Sequence, residues 1–348
     1  MASSMRKIYQ PIHPSLRPLL DPEYAAFHDE HLQYVVPSEA EAWDPASRNH
    51  LSPLSLGGQR LVEVGSVCDK ELGDIQIRVF TPDGDAPSHG WPALVWFHGG
   101  GWVVGGLDSE NGFLRHVCKY VDCVVISINY RHAPEHVYPA AANDVLKGYQ
   151  WVVNPENSKG LHINTARVAI GGLSAGGCLT AILALKISNL DIVPKPIFQM
   201  LLCPVIDNTA TIESIWSTSQ HAAWLTPSRM TWYRAKYFSS ASDAANWDAS
   251  PCFAPADLLG KSPKTFLGIS ECDLLAPEGL AFGESLKAAG VETRVEMYKG
   301  ATHSILVLAG IHRVGQKLVH DACEALAEAL GISYDADVAA VLPQIGQA

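Results

Sequence analysis

Apolar residues recur along this chain in short blocks, and the spacing inside each block predicts its conformation. DIQIRVF (residues 74–80) alternates cleanly, with Ile75, Ile77 and Val79 on one face of a half-buried strand. LVEVGSV (61–67) reads as a strand before it. ALVWFH (93–98), CVVISIN (123–129), RVAIGG (167–172) and IFQMLLC (197–203) are near-continuous apolar runs. Such runs suit strands covered on both faces of a parallel sheet. TFLGIS (265–270) and TRVEMY (293–298) follow as further strands.

Between the strands the period changes to that of helices. Residues 139–153 begin with Pro139, well suited to a first helical turn. A second helix is expected over 175–188 and a third over 277–289, stopped by Gly290. In the last, over 310–330, Ile311, Val314, Leu318, Ala322, Leu326 and Leu330 recur at spacings of three and four. Strands alternating with helices predict an α/β fold, with a mostly parallel central sheet of about eight strands flanked by helices.

Two segments break the alternation. Residues 1–55 are rich in Pro and His, with a short helical stretch near AAFHDEHLQYV. Residues 207–250 interrupt the core between two strands and carry Trp216, Trp224, Trp232, Tyr233, Tyr237, Phe238 and Trp247. A long aromatic insertion at the C-terminal edge of a sheet is expected to cover a site there. The chain is therefore expected to divide into an N-terminal cap segment (1–55), a core (56–206 and 251–348) and a helical cap insertion (207–250).

Composition narrows the partners. Hydrophobic residues fill 47% of 348 positions, enough for a sizeable core, and no apolar run reaches the length of a membrane span. A formal net charge of −11 argues against nucleic acid and anionic membranes as partners. The opening MASSMRKIYQPIHPSLRP has no apolar stretch of the kind that directs secretion. Eight cysteines without a C-x-x-C pair fit buried free thiols in a reducing, cytoplasmic setting.

The stretch RVAIGGLSAGGCLTAILAL carries chemistry. Gly172-Leu173-Ser174-Ala175-Gly176 matches G-x-S-x-G between an expected strand and an expected helix. That setting makes a nucleophile elbow, in which a tight turn lined by small residues exposes the serine hydroxyl. The helix N-terminus behind the turn favours developing negative charge. A serine hydroxyl also needs a base, and the base an orienting acid, in the chain order Ser, acid, His. The first acids at a strand end after Ser174 are Glu271 and Asp273, in TFLGISECDLL. His303 lies in the loop after TRVEMY, where an imidazole can reach Ser174. HAPEH (132–136) has the H-x-x-x-H spacing, but Pro134 disfavours the helix that a zinc site of this type needs, so no metal is expected.

HGGGW (98–102), YRHAPEHVYPAAANDV (130–145), GLSAGG (172–177), ECDLL (271–275) and YKGATH (298–303) occur in one order. Together they resemble the hormone-sensitive-lipase-like branch of the α/β-hydrolases, over roughly residues 90–330. The resemblance implies an α/β-hydrolase fold, a cap over the active site, no cofactor, and hydrolysis of small or medium apolar esters. Its D-x-L pattern points to Asp273, with Leu275 as the leucine, rather than Glu271. Its G-x-x-H pattern starts at Gly300 and supports His303. It also implies an oxyanion hole made by the N–H groups of Gly100, Gly101 and Ala175, with His98 as a structural anchor. The chain departs from the family at Leu173, where Asp is common, at Leu274, where Pro is usual, and at His303-Ser304-Ile305, where the family has H-G-F.

These observations predict a serine carboxylesterase acting on a small-molecule ester. Trp102, Trp216 and Trp224 are expected to line its pocket. Two other readings use the same residues: amide, carbamate or thioester cleavage or acyl transfer by the same triad, and a ligand-binding receptor on a retired hydrolase scaffold. An edge strand or the last helix offers a surface for a homodimer.

Overall fold

A single eight-stranded sheet organises the computed structural model, which describes residues 6–344; the outer ends of the N-terminal segment (1–5) and of the tail (345–348) lie outside the described residues. Its strands are β1 (Ser66–Leu72), β2 (Ile75–Thr81), β3 (Trp91–Phe97), β4 (Val124–Asn129), β5 (Ile163–Leu173), β6 (Phe198–Leu202), β7 (Lys264–Ser270) and β8 (Thr293–Tyr298). Their spatial order is β1-β2-β4-β3-β5-β6-β7-β8. The β1–β2 and β2–β4 pairs are antiparallel, and every pair from β4 to β8 is parallel.

Helices cover both faces. They are α1 (Pro22–Glu30), α2 (Asn111–Tyr120), α3 (Ala140–Val153), α4 (Pro155–Gly160), α5 (Ala175–Asn189), α6 (Pro227–Tyr237), α7 (Ala256–Leu259), α8 (Ala276–Ala288) and α9 (Arg313–Leu330). Along β3 the side chains alternate between two cores. Ala93, Val95 and Phe97 join the core beneath α3 and α5, while Leu94 and Trp96 join the core beneath α2 and α9. That double burial accounts for the continuous apolar run.

Several strand and helix assignments differ from the sequence expectation. The first strand is Ser66–Leu72 rather than 61–67. Gly73 (φ +64) and Asp74 form a two-residue turn that pairs Leu72 with Ile75, and this sets the ladder. All but the last residue of β1 are exposed, so its polar sequence carries no strand-like alternation. The helix α2 falls in a stretch that the periodic reading passed over. It makes the crossover that the parallel β3–β4 pair requires, burying Phe113, Leu114, Val117 and Cys118. The last helix starts at Arg313, because His312 stands outside it as the N-cap and accepts the Gly315 N–H at 3.1 Å.

The N-terminal segment and the insertion meet each other across the C-terminal edge of the sheet. The Arg229 guanidinium on α6 donates to Glu39 Oε2 at 2.9 Å, to Gln10 Oε1 at 2.8 Å and to the Trp224 carbonyl at 2.6 Å. His13 and His221 stack at 3.7 Å, and Trp43 meets Trp232 edge-on. No helix among the described residues is long and apolar enough to cross a membrane.

Candidate active site

Strand register brings the chemistry-bearing loops together. Phe97 pairs with Gly172 and Leu173 with Leu202, so the glycine loop after β3 and the turn after β5 leave the sheet side by side. The loops after β7 and β8 leave the same edge, with Ser270 paired to Tyr298. This carboxyl edge is where open α/β sheets place their sites.

Ser174 occupies the turn between β5 and α5 with φ 58° and ψ −117°. A non-glycine residue held at positive φ is strained by about 1–3 kcal/mol, and persists where its surroundings over-determine it. Here the Ser174 N–H donates to the Leu202 carbonyl at 2.9 Å, and the Ser174 carbonyl accepts from Cys178 and Val205. The turn is also closed sterically. A β-carbon on Gly176 would lie 1.9 Å from the Phe97 carbonyl oxygen, so only glycine lets α5 start this close to β3.

His303 Nε2 lies 2.9 Å from Ser174 Oγ, and His303 Nδ1 lies 2.7 Å from Asp273 Oδ2. Asp273 is 1% exposed and also accepts the Leu275 N–H. Of the two acids left open by strand position, Glu271 turns elsewhere and accepts the Gly300 N–H at 2.9 Å. Cys203 borders the same group: among the described residues, Cys203, Asp273 and His303 bring one metal-ligating atom each within 4.8 Å of one another. Asp273 and His303 already engage each other, and burial pushes the Cys203 thiol well up, with the Asp273 charge adding to the shift. Both effects disfavour a thiolate ligand there.

The glycine loop faces this group. Gly100 has φ +124°, and a β-carbon there would sit 2.0 Å from the Val104 carbonyl oxygen. Gly101 has φ +59°, and its β-carbon would fall 2.3 Å from the Tyr233 ring. Among the described residues, the N–H groups of Gly100, Gly101 and Ala175 have no hydrogen-bond acceptor. Ala175 opens α5, so its N–H is one of the unpaired donors of a helix N-terminus. His98 is buried behind the loop, stacked on Tyr130 at 4.4 Å, and burial lowers its pKa to about 4. It therefore stays neutral at ordinary pH, consistent with an anchor.

The three tryptophans expected to line a pocket do not behave alike. Trp102 and Trp216 are 0% and 1% exposed, so neither offers surface to a ligand in this structure. Trp102 stacks on Tyr237 at 4.5 Å, and the Trp216 indole N–H donates to Glu278 Oε2 at 2.8 Å. Packing claims both rings for the core. Trp224 is half-buried, with the Arg229 guanidinium 4.7 Å from its ring centre.

Sequence reasoning also passed over two buried carboxylates. Glu110 accepts from the Trp96 indole and from the Gly99 N–H, and burial pushes its carboxyl up to about 7. Glu278 accepts the Ile206 and Asp207 N–H groups at the root of the insertion, and burial likewise pushes it up to about 7. A lone acid at the start of α2 or in the first turn of α8 looks solvated in sequence. Only the tertiary packing buries it.

Comparison with known proteins is consistent with the geometry. A family model described as the alpha/beta hydrolase fold matches residues 94–307. An AB hydrolase superfamily protein of Schizosaccharomyces pombe is 33% identical over 94% of this chain and 98% of its own. The ethyl acetate hydrolase of Pseudomonas putida is 28% identical over 80% of this chain and 87% of its own. A crystal structure of an α/β-hydrolase enzyme from the metagenome of Lake Arreo, Spain, superposes with a TM-score of 0.81 at 26% identity, covering 90% of this chain and 99% of that one.

Proposed function

This chain belongs to the α/β-hydrolase family, and we propose that it hydrolyses carboxylic esters of small or medium apolar substrates through an acyl-enzyme on Ser174. The observation that carries the reading is the hydrogen-bonded chain Ser174 Oγ, His303, Asp273, at 2.9 and 2.7 Å. The ester hydrolase among the relatives supports the same reaction class.

Ser174 Oγ attacks the ester carbonyl carbon as its proton passes to His303 Nε2. Asp273 accepts a hydrogen bond from His303 Nδ1–H, fixes the tautomer and stabilises the imidazolium that forms. The carbonyl oxygen becomes an oxyanion held by the N–H groups of Gly100, Gly101 and Ala175. Losing one such donor costs about 3–4 kcal/mol of transition-state stabilisation. His303 then protonates the departing alkoxide, leaving an acyl group on Ser174. Water then attacks the acyl carbon as its proton passes to His303, and His303 returns a proton to Ser174 Oγ as the acid leaves.

In this reading residues 1–55 and 207–250 act as one cap, and 56–206 with 251–348 form the catalytic core. A homodimer through an edge strand or α9 and a reducing, cytoplasmic setting complete it. The eight cysteines are free, and six of them are buried, which fits that setting. Labelling by a fluorophosphonate probe tests the centre of the proposal. Modification confined to Ser174 is expected, and an unlabelled wild-type protein would overturn the reading.

A further inference from the structure

The face of α6 that meets the core carries an aromatic pair beside Met230. Tyr233 and Tyr237 lie four residues apart, and so share one side of the helix. Thr226 caps α6, accepting the Arg229 N–H, and Pro227 starts it, so the helix is fixed at its entrance. Arg229 then ties that first turn to Glu39 and Gln10. The aromatic face lands on two consecutive residues of the glycine loop. Tyr233 lies across Gly101, with three of its ring atoms within 2.7 Å of where a β-carbon would stand. Tyr237 stacks on Trp102, the planes 4° apart.

Those loop residues have unusual backbones. Gly100, Gly101 and Trp102 have φ of 124°, 59° and 60° in succession. Trp102 is a bulky residue in the left-handed region, a conformation that needs outside support. The loop closes on itself, the Gly100 carbonyl accepting from Val103 and Val104, and is tied to the core where the Trp102 carbonyl accepts the Ala133 N–H. On the other side, the rings of α6 press on it.

We propose that Tyr233 is a positioning residue, whose ring holds Gly101 so that its N–H points at the substrate oxyanion, and that α6 thereby couples the seating of the cap to assembly of the oxyanion hole. The proposal rests on the acyl-enzyme reading above. The flat ring carries the effect and the phenol hydroxyl does not, because the contact is made by Cγ, Cδ1 and Cδ2. A seated cap gives a complete hole. A displaced cap leaves a loop whose Gly101 N–H wanders, while Ser174, His303 and Asp273 stay in place on the core.

The test compares Tyr233→Phe, Tyr233→Leu and Tyr233→Ala on a p-nitrophenyl ester, together with inhibition by a trifluoromethyl ketone, whose adduct carries an oxyanion. Phe is expected to match wild type. Leu and Ala are expected to lower kcat by about ten- to a hundredfold, less than outright loss of an oxyanion donor, with KM little changed. The inhibition constant for the ketone should rise by the same factor as kcat/KM falls. A Leu variant that keeps wild-type kcat and changes only KM would overturn the proposal and make Tyr233 a pocket wall. If Ala fails to fold, Leu carries the comparison. Fluorophosphonate labelling of wild-type Ser174 is read in parallel, so that failure of the acyl-enzyme mechanism is distinguished from failure of this coupling.

Discussion

Glu271 and Asp273 stand two residues apart on one loop and serve different partners, the Gly300 N–H at 2.9 Å and His303 Nδ1 at 2.7 Å. The first holds the loop that carries His303, and the second holds the imidazole itself. Asp273→Asn is expected to lower kcat by about 10⁴, because an amide favours the wrong imidazole tautomer. Glu271→Gln keeps an acceptor for Gly300 and should stay within about tenfold of wild type. Steady-state turnover of a p-nitrophenyl ester separates the two, and equal losses would remove the distinction.

Ser174→Ala removes the nucleophile without touching the contacts that hold the turn, which are made by its backbone. Its kcat should fall by on the order of 10⁴–10⁶. The thermal midpoint should change little. Turnover near the wild-type level would sink the acyl-enzyme.

Gly101→Ala would force a β-carbon toward the Tyr233 ring at a positive φ. Loss of activity is expected, with destabilisation of at least about 1 kcal/mol from the backbone alone. Combining it with Tyr233→Ala relieves the clash but not the φ strain, so chemical denaturation should show partial recovery of stability without recovery of activity. Full recovery of both would mean that steric fit alone governs this loop.

Arg229 and Glu39 are paired with little exposure, at 5% and 17% of their side-chain surfaces. Arg229→Met leaves the carboxylate without its cation and the Gln10 side chain without a donor. Breaking one side of such a pair costs about 3 kcal/mol. Urea denaturation should register that loss. A double-mutant cycle with Glu39→Gln should show coupling well above that of an exposed pair, and strict additivity would deny the link.

Glu278 makes stability depend on pH with a definite sign. Its carboxyl titrates at about 7 when folded and near 4.5 when unfolded. Between those values the native protein holds more protons than the unfolded chain, so stability falls as pH rises through that window. Glu278→Gln cannot titrate, so the variant should lose less stability between pH 4.5 and 7 than wild type does. Glu110, also near 7, keeps part of the slope, and His98, near 4, opposes it in both proteins. Thermal midpoints across that range measure the difference, and parallel curves would contradict it.

The sheet and the elbow were legible because their signals are local. The double-sided burial of β3 writes itself as an unbroken apolar run, and the turn around Ser174 as small residues between a strand and a helix. The edge strand β1 escaped because its residues are exposed and its register comes from a turn. The site residues missed by the sequence reading depend on contacts that no period encodes. Glu39 and Arg229 meet across 190 positions. Tyr233 stands out in sequence only as one aromatic among several, and its role is visible once α6 is seen lying on Gly101. Trp216 shows the converse: a large aromatic in an insertion suits a pocket wall, but here its indole is buried and donates to Glu278 on α8.

The insertion that carries α6 is joined through Arg229 to Glu39 and Gln10 of the N-terminal segment, far away in sequence, and this sets terms for anyone who wishes to retarget the enzyme. A graft cut at residues 206 and 251 would import a new α6 and discard the Arg229 side chain, leaving Gln10 and Glu39 facing a stranger. Cassette exchange therefore has to move two fragments in matched pairs. Libraries that randomise only the insertion would be sampling half of a joint.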